Sequence, residues 1–287
     1  MRLRPVLLAA LLAAGPLGLP AGAVLAETAV VTPDTTVAGL TRTMQIDALF
    51  TLLREEGRVN GMALEKEMFP DSGGPQWMAA LDAIYDLPRL RQAFDTALSA
   101  ELGADPDTIA QIVAFFGSPR GQRILTLEIE GRRTLLDEAA KEAAQVAADK
   151  MTTARDPRMA LIKRLVAAGD LIEMNVAGAM SGNLAFMQGM AEAGAYGGQM
   201  TEDQMRSDVW GQEDQVRSDA ETWLYPYLAL AYQPLADADL QAYIDFSESA
   251  AGKKLNAALF TAFDAVFRQV SLDLGRAAGR AMMGTDI

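Results

Sequence analysis

The sequence predicts an all-α fold, a multi-helix bundle built from two related helical units. Three observations predict it. Helix-start signals, an Asp or Ser followed by proline, recur along the chain. Apolar residues return at helical spacing. No convincing alternating run of β-branched residues interrupts them.

The first helix is expected over 36–56, closed by Gly57, a residue suited to a helix end. Helices over 60–68 and 75–86 follow. Asp86-Leu87-Pro88 then opens a helix over 88–102, and Gly103 ends it. Asp105-Pro106, Ser118-Pro119 and Asp156-Pro157 open helices over 106–116, 119–152 and 157–193. At each start the Asp or Ser oxygen can accept from a free amide of the first turn. Proline fits the next position, where its missing N–H would be unpaired anyway. Within 119–152, Asp137 and Lys141 stand four apart, the spacing of a mildly stabilising pair. Gly194, Gly197 and Gly198 mark the end of the helix over 157–193. Thr201 with Gln204 reads as a capping box opening 201–232, and Pro226 should kink or interrupt that helix. Helices over 238–247 and 250–283 complete the series. The last carries Leu255, Leu259, Val266, Val270 and Leu274 on one stripe, with Phe260, Phe263 and Phe267 beside it. So wide an apolar face should be deeply buried.

The N-terminus reads as an export signal. Arg2 and Arg4 precede an apolar run, and Val24-Leu25-Ala26 fits the small-x-small cleavage rule. Residues 1–26 are therefore expected to be removed, with Glu27 first in the mature chain. Pro16, Gly18, Pro20 and Gly22 break the run well short of the ~20 apolar residues of a membrane span. No anchor should remain after processing. The expected location is the periplasm or the medium.

Composition narrows the chemistry. The formal net charge of −13 repels phosphate backbones, so nucleic acid is an unfavourable partner. With no cysteine, stability has to come from packing without disulfides. With no histidine either, a Ser-His-Asp triad, a Cys-His pair and a His-ligated zinc site are excluded. No Walker-type phosphate loop or calcium loop occurs, and no cofactor or metal is expected.

One motif occurs twice. "PDTIAQIVAFFGSPRGQRIL" parallels "DADLQAYIDFSESAAGKKLN" at a fixed offset. Phe115 aligns with Phe246, Ser118 with Ser249 and Gly121 with Gly252. Fixed spacing through a break suggests an internal repeat. Each copy should be a corner. A short helix buries its phenylalanine, the serine caps a long helix, and glycine lets the two backbones approach. A second reading makes each corner an anion site built on a helix N-terminus. Lys253-Lys254 supplies a basic pair in one copy, against Gln122-Arg123 in the other.

The first copy resembles the signature of domain-of-unknown-function family 2059 through Phe115, Phe116, Ser118, Pro119 and Gly121. The second is similar through Tyr243, Phe246, Ser249, Gly252 and Lys253, but has Ala250 in place of proline. The resemblance implies a helical protein exported from bacteria. The family has no assigned activity, so the resemblance implies no catalytic residues, and the motif positions are expected to be structural.

This divides the chain into a first unit over 27–156, a connecting helix over 157–200 and a second unit over 201–287. The connector is rich in methionine and glycine. Gly178 and Gly182, four apart, should let a neighbouring helix approach closely. Met174, Met180, Met187, Met190 and Met200 fit core packing, a pliable partner surface, soft-metal capture or membrane insertion, the last opposed by the polar residues of the same segment. In "WLYPYLALAY", Trp223, Tyr227 and Tyr232 suit either the core or the wall of a pocket for an apolar or sugar ligand. The leading functional expectation is non-enzymatic, with another envelope protein or a small ligand as partner. The rival is a carboxylate-dependent hydrolase, which would need two acids converging in one cleft.

Overall fold

The computed structural model describes residues 34–70 and 73–284. The expected leader, 1–26, lies outside the described residues. The regular elements are α1 (Val37–Thr43), α2 (Ile46–Met68), α3 (Gly74–Ile84), α4 (Leu87–Leu102), α5 (Pro106–Phe116), α6 (Pro119–Thr134) and α7 (Glu138–Thr153). They continue with α8 (Pro157–Ala168), α9 (Leu171–Glu192), α10 (Glu202–Trp210), α11 (Glu213–Tyr232), α12 (Asp237–Glu248) and α13 (Ala250–Met282). The fold is all-α, and no strand occurs among the described residues.

The local start signals operate as their chemistry requires. Asp86, Asp105, Ser118 and Asp156 each accept from a first-turn amide at 2.8–3.0 Å, with proline inside the turn. Thr201 and Gln204 form the reciprocal capping box.

Several long helices prove to be two. The segment expected over 36–56 breaks at Gln45, which takes a left-handed backbone, and α2 then runs straight through Gly57. Gly57 ends nothing; it lies under the Tyr85 ring, where any side chain would collide. The segment over 119–152 divides because Asp137 caps α7, its Oδ1 accepting from the Ala140 amide at 2.8 Å. Lys141 then lies 3.5 Å from Glu138 instead of pairing with Asp137. Asp170, also left-handed, divides 157–193. Gly211 ends α10 and so divides 201–232. Pro226 does not interrupt α11, which runs through it. Packing against α6, α7, α8 and α9 supports α11 along its length, and outweighs the hydrogen bond that proline removes.

The long helix α13 is the spine. Its apolar stripe is buried, and it packs against α9, α4, α3, α5 and α12. Phe263 meets Phe50 and Phe94 at ring-centroid separations of 6.1 and 4.8 Å. The main hydrophobic cluster draws on residues from Leu40 in α1 to Ala281 in α13. A smaller cluster joins Val176 and Met180 of α9 to Val209 of α10 and Val216 of α11.

Helices α9 and α13 approach most closely at Gly189 and Gly275. A Cβ on Gly189 would strike the Leu272 carbonyl, and one on Gly275 the Phe186 carbonyl. The close approach expected at Gly178 is not there, since its missing side chain faces open space. Gly182 meets only the Ser271 hydroxyl. The methionines of α9 divide between two cores, Met190 in the main one and Met180 in the smaller. Among the described residues no helix is long and apolar enough to cross a membrane.

Candidate functional site

The two Ser–Gly corners share one local geometry. Ser118 Oγ accepts from the Gly121 amide at 3.0 Å and donates to the Phe115 carbonyl at 2.6 Å. Ser249 Oγ accepts from the Gly252 amide at 3.0 Å and donates to the Phe246 carbonyl at 2.6 Å. A Cβ on Gly121 or Gly252 would collide with that same carbonyl, so each corner needs its glycine for close approach.

The corners also touch. Phe115 stacks on Phe246, with ring centroids 4.3 Å apart and planes inclined by 13°. Phe116 and Tyr243 meet this pair edge-on or in parallel. Arg120 pairs with Asp239 and Lys254 with Asp105, each at 2.6 Å, tying the start of each long helix to the opposite corner. Hydrogen bonds from Lys254 first, and from Thr108, hold the Asp105 carboxyl down to about 2. Phe115 and Phe246 are only half-buried; Phe116 is the ring wholly enclosed. Pro119 and Lys253 stand exposed. Gln122, matched to a lysine in the second copy, instead ties α6 to the Thr43 and Phe116 carbonyls at 2.9 and 2.7 Å.

Behind the corners lies a small cavity of about 50 Å³. Phe116, Phe246, Gly252, Leu224, Leu228 and Leu255 supply apolar wall. Polar groups enter from α6, α9, α11 and α12 as Glu128, Asn175, Tyr232 and Tyr243. Glu128 is 1 % exposed and Asn175 2 %. Tyr232 donates its hydroxyl to Glu128 Oε1, and Tyr227 donates to the Glu128 backbone carbonyl at 3.0 Å. Tyr243 adds a weaker interaction with the carboxyl, and Glu128 Oε2 has no partner of good geometry. Burial pushes the Glu128 pKa well up, and the tyrosine hydroxyls offset this only in part. Burial, with Glu128 beside them, also raises Tyr232 and Tyr243 well above the usual phenol value. Asn175 Nδ2 donates to the Leu171 carbonyl at 2.7 Å, leaving its Oδ1 unpartnered.

One turn beyond Glu128 on α6, Arg132 holds a buried ion pair with Glu56. Its Nε and Nη2 bond the two carboxylate oxygens at 2.5 and 2.7 Å. Arg132 also lies over the Trp223 ring, 5.9 Å from its centroid, and Trp223 stacks on Tyr227. Among the described residues lining the cavity, Glu128 is the one carboxylic acid. The paired acids of a carboxylate hydrolase are not brought together there.

The aromatic run thus serves both expected roles: Tyr227 is core, and Tyr232 is core and cavity wall. Glu128 and Asn175 were not singled out from the sequence. A signal existed for Glu128, because Gly121, Ile124, Leu125, Glu128 and Arg132 form one buried stripe on α6. An acid on such a stripe is rarely buried without a reason. Asn175 carried no such mark, lying in a helix of mixed polar and apolar residues. No family model, curated protein or solved structure matches this chain.

Proposed function

We propose that this chain is an exported, non-enzymatic helical protein of the bacterial envelope that holds a small, mainly apolar ligand in the cavity behind its two corners. The observation that carries this reading is a largely apolar cavity whose lining includes two buried polar residues, Glu128 and Asn175. Buried polar atoms are costly unless something answers them. Binding pockets characteristically combine apolar walls with a few such groups.

Relationship to family 2059, and duplication of one ancestral corner, belong to the same proposal. The matched serine caps and the stacked phenylalanines support duplication. The resemblance at Phe115, Phe116, Ser118, Pro119 and Gly121 supports the relationship, with these positions and Phe246, Ser249, Gly252 and Lys253 acting as framework. Export rests on the N-terminal signal, with cleavage after Ala26.

Produced with its own leader in a bacterial host, the protein should appear in the periplasmic fraction with Glu27 first; recovery with Met1 would defeat export. In thermal melts, millimolar phenol or toluene should raise Tm, because a ligand bound to the native state alone stabilises it. Ser247→Phe, which fills the cavity from a half-buried position in its lining, should cancel the shift. No shift with either compound would overturn the ligand reading.

A further inference from the structure

We propose that Asn60–Gly61 is a self-modification site that the fold holds shut: it deamidates when α2 unfolds and stays intact while α2 is packed.

An asparagine side chain is attacked most readily by its own backbone when glycine follows, because glycine places no Cβ in the way. Of Asn60, Asn175, Asn183 and Asn256, the asparagines of this chain, Asn60 alone precedes a glycine. In the reaction the Gly61 amide nitrogen bonds to Asn60 Cγ. The bond from Cγ to the side-chain nitrogen breaks, and ammonia leaves with the proton of the amide. Water then opens the cyclic imide at either carbonyl and leaves aspartate or isoaspartate. Water is the one co-reactant, and nothing is oxidised or reduced.

The fold opposes this step in two ways. Asn60 and Gly61 lie inside α2, which runs unbroken from Ile46 to Met68. There the Gly61 N–H is committed to the carbonyl four residues before it, and helical backbone angles keep that nitrogen out of line with Cγ. The second restraint is tertiary. Trp77 of α3, fully buried, donates its Nε1–H to the Gly61 carbonyl at 3.0 Å. Leu81, also buried, lies so close that a Cβ on Gly61 would strike its methyl groups. The approach of α3 thus favours glycine at 61, while Asn60 beside it is exposed. Isoaspartate adds a carbon to the main chain in the middle of α2 and shifts the helical hydrogen bonds out of register. A chain modified while unfolded should therefore fail to restore the packing of α2 on α3.

The test incubates the full-length protein at mildly alkaline pH, in buffer and in guanidinium chloride, and maps its peptides by mass spectrometry with fragmentation that separates the two isomers. In guanidinium, deamidation should concentrate at Asn60. In buffer it should be at least about tenfold slower, since packed mid-helix segments open rarely. On dilution from denaturant, the refolded fraction should fall with incubation time for the unaltered chain and stay constant for Asn60→Ser, a change at an exposed position. Equal rates in buffer and denaturant would overturn the protection by the fold. Faster loss at Asn175, Asn183 or Asn256 would overturn the site. A parallel fall in the refolded fraction of both chains would overturn the link to refolding. Should freshly unfolded protein not refold, the two rates and the position of the change decide the matter.

Discussion

Phe115 and Phe246 lie face to face across the junction of the two corners, with ring centroids 4.3 Å apart and planes inclined by only 13°. Equivalent positions of the two motifs are therefore each other's packing partners. Each ring is half-buried by the other, so their contributions to stability are coupled.

That coupling is measurable. Phe115→Ala and Phe246→Ala should each cost less than the ~3–5 kcal/mol typical of a fully buried phenylalanine, which is the cost expected for Phe116→Ala. In a double-mutant cycle the Phe115 and Phe246 changes should be non-additive by about 0.5–1.5 kcal/mol, the usual worth of an aromatic pair. Chemical denaturation of the four proteins of the cycle checks this. Strict additivity would mean that the rings do not meet in solution.

The approach of α9 to α13 makes opposite predictions for two glycines of one helix. Gly189→Ala should destabilise by about 1–3 kcal/mol, because its Cβ would strike the Leu272 carbonyl. Gly178→Ala meets open space and should stabilise by up to about 1 kcal/mol through helix propensity. Melting temperatures moving in opposite directions are the expected result; the same sign in both would contradict the packing of these helices.

Stability should carry the mark of Glu128. The raised native pKa means that the folded chain keeps a proton which the unfolded chain releases above the ordinary value of 4.5. Its contribution is therefore full below that value and is lost as pH rises toward the raised native pKa. Within that window the stability of the unaltered chain relative to Glu128→Gln should fall by about 1.4 kcal/mol per pH unit, the slope for one proton. Denaturant titrations of both proteins at a series of pH values upward from 4.5 would show it. Parallel pH profiles would place the carboxyl in water.

Glu56→Ala should cost about 3–5 kcal/mol by leaving the Arg132 guanidinium charged in a buried place. Replacing both partners together, as Glu56→Leu with Arg132→Met, should recover most of that loss, since apolar residues of similar volume often stand in for a buried pair. A double variant no more stable than Glu56→Ala would show that Arg132 is needed for its place beside Trp223 as well as for its charge.

What the sequence determined by itself is local. The caps at Asp86, Asp105, Ser118, Asp156 and Thr201 link residues two or three apart, so the helix starts and the internal form of both corners were legible from spacing alone. The buried face of α13 was legible for the same reason, since an apolar stripe repeats along one helix. Tertiary structure decided everything that joins distant segments. Gln45 and Asp170 break helices through left-handed backbones; aspartate tolerates that conformation better than most residues, but nothing in the residue type of Gln45 announces it. Of the glycines on α9, only the packing of a second helix singles out Gly189, where the backbones meet, over Gly178, which faces open space. Glu128 and Asn175 share a cavity because α6 and α9 are brought together around α11. Neither the burial of a carboxyl nor the orphaning of an amide oxygen is a property of a residue and its near neighbours. Both follow from which distant side chains exclude water around them.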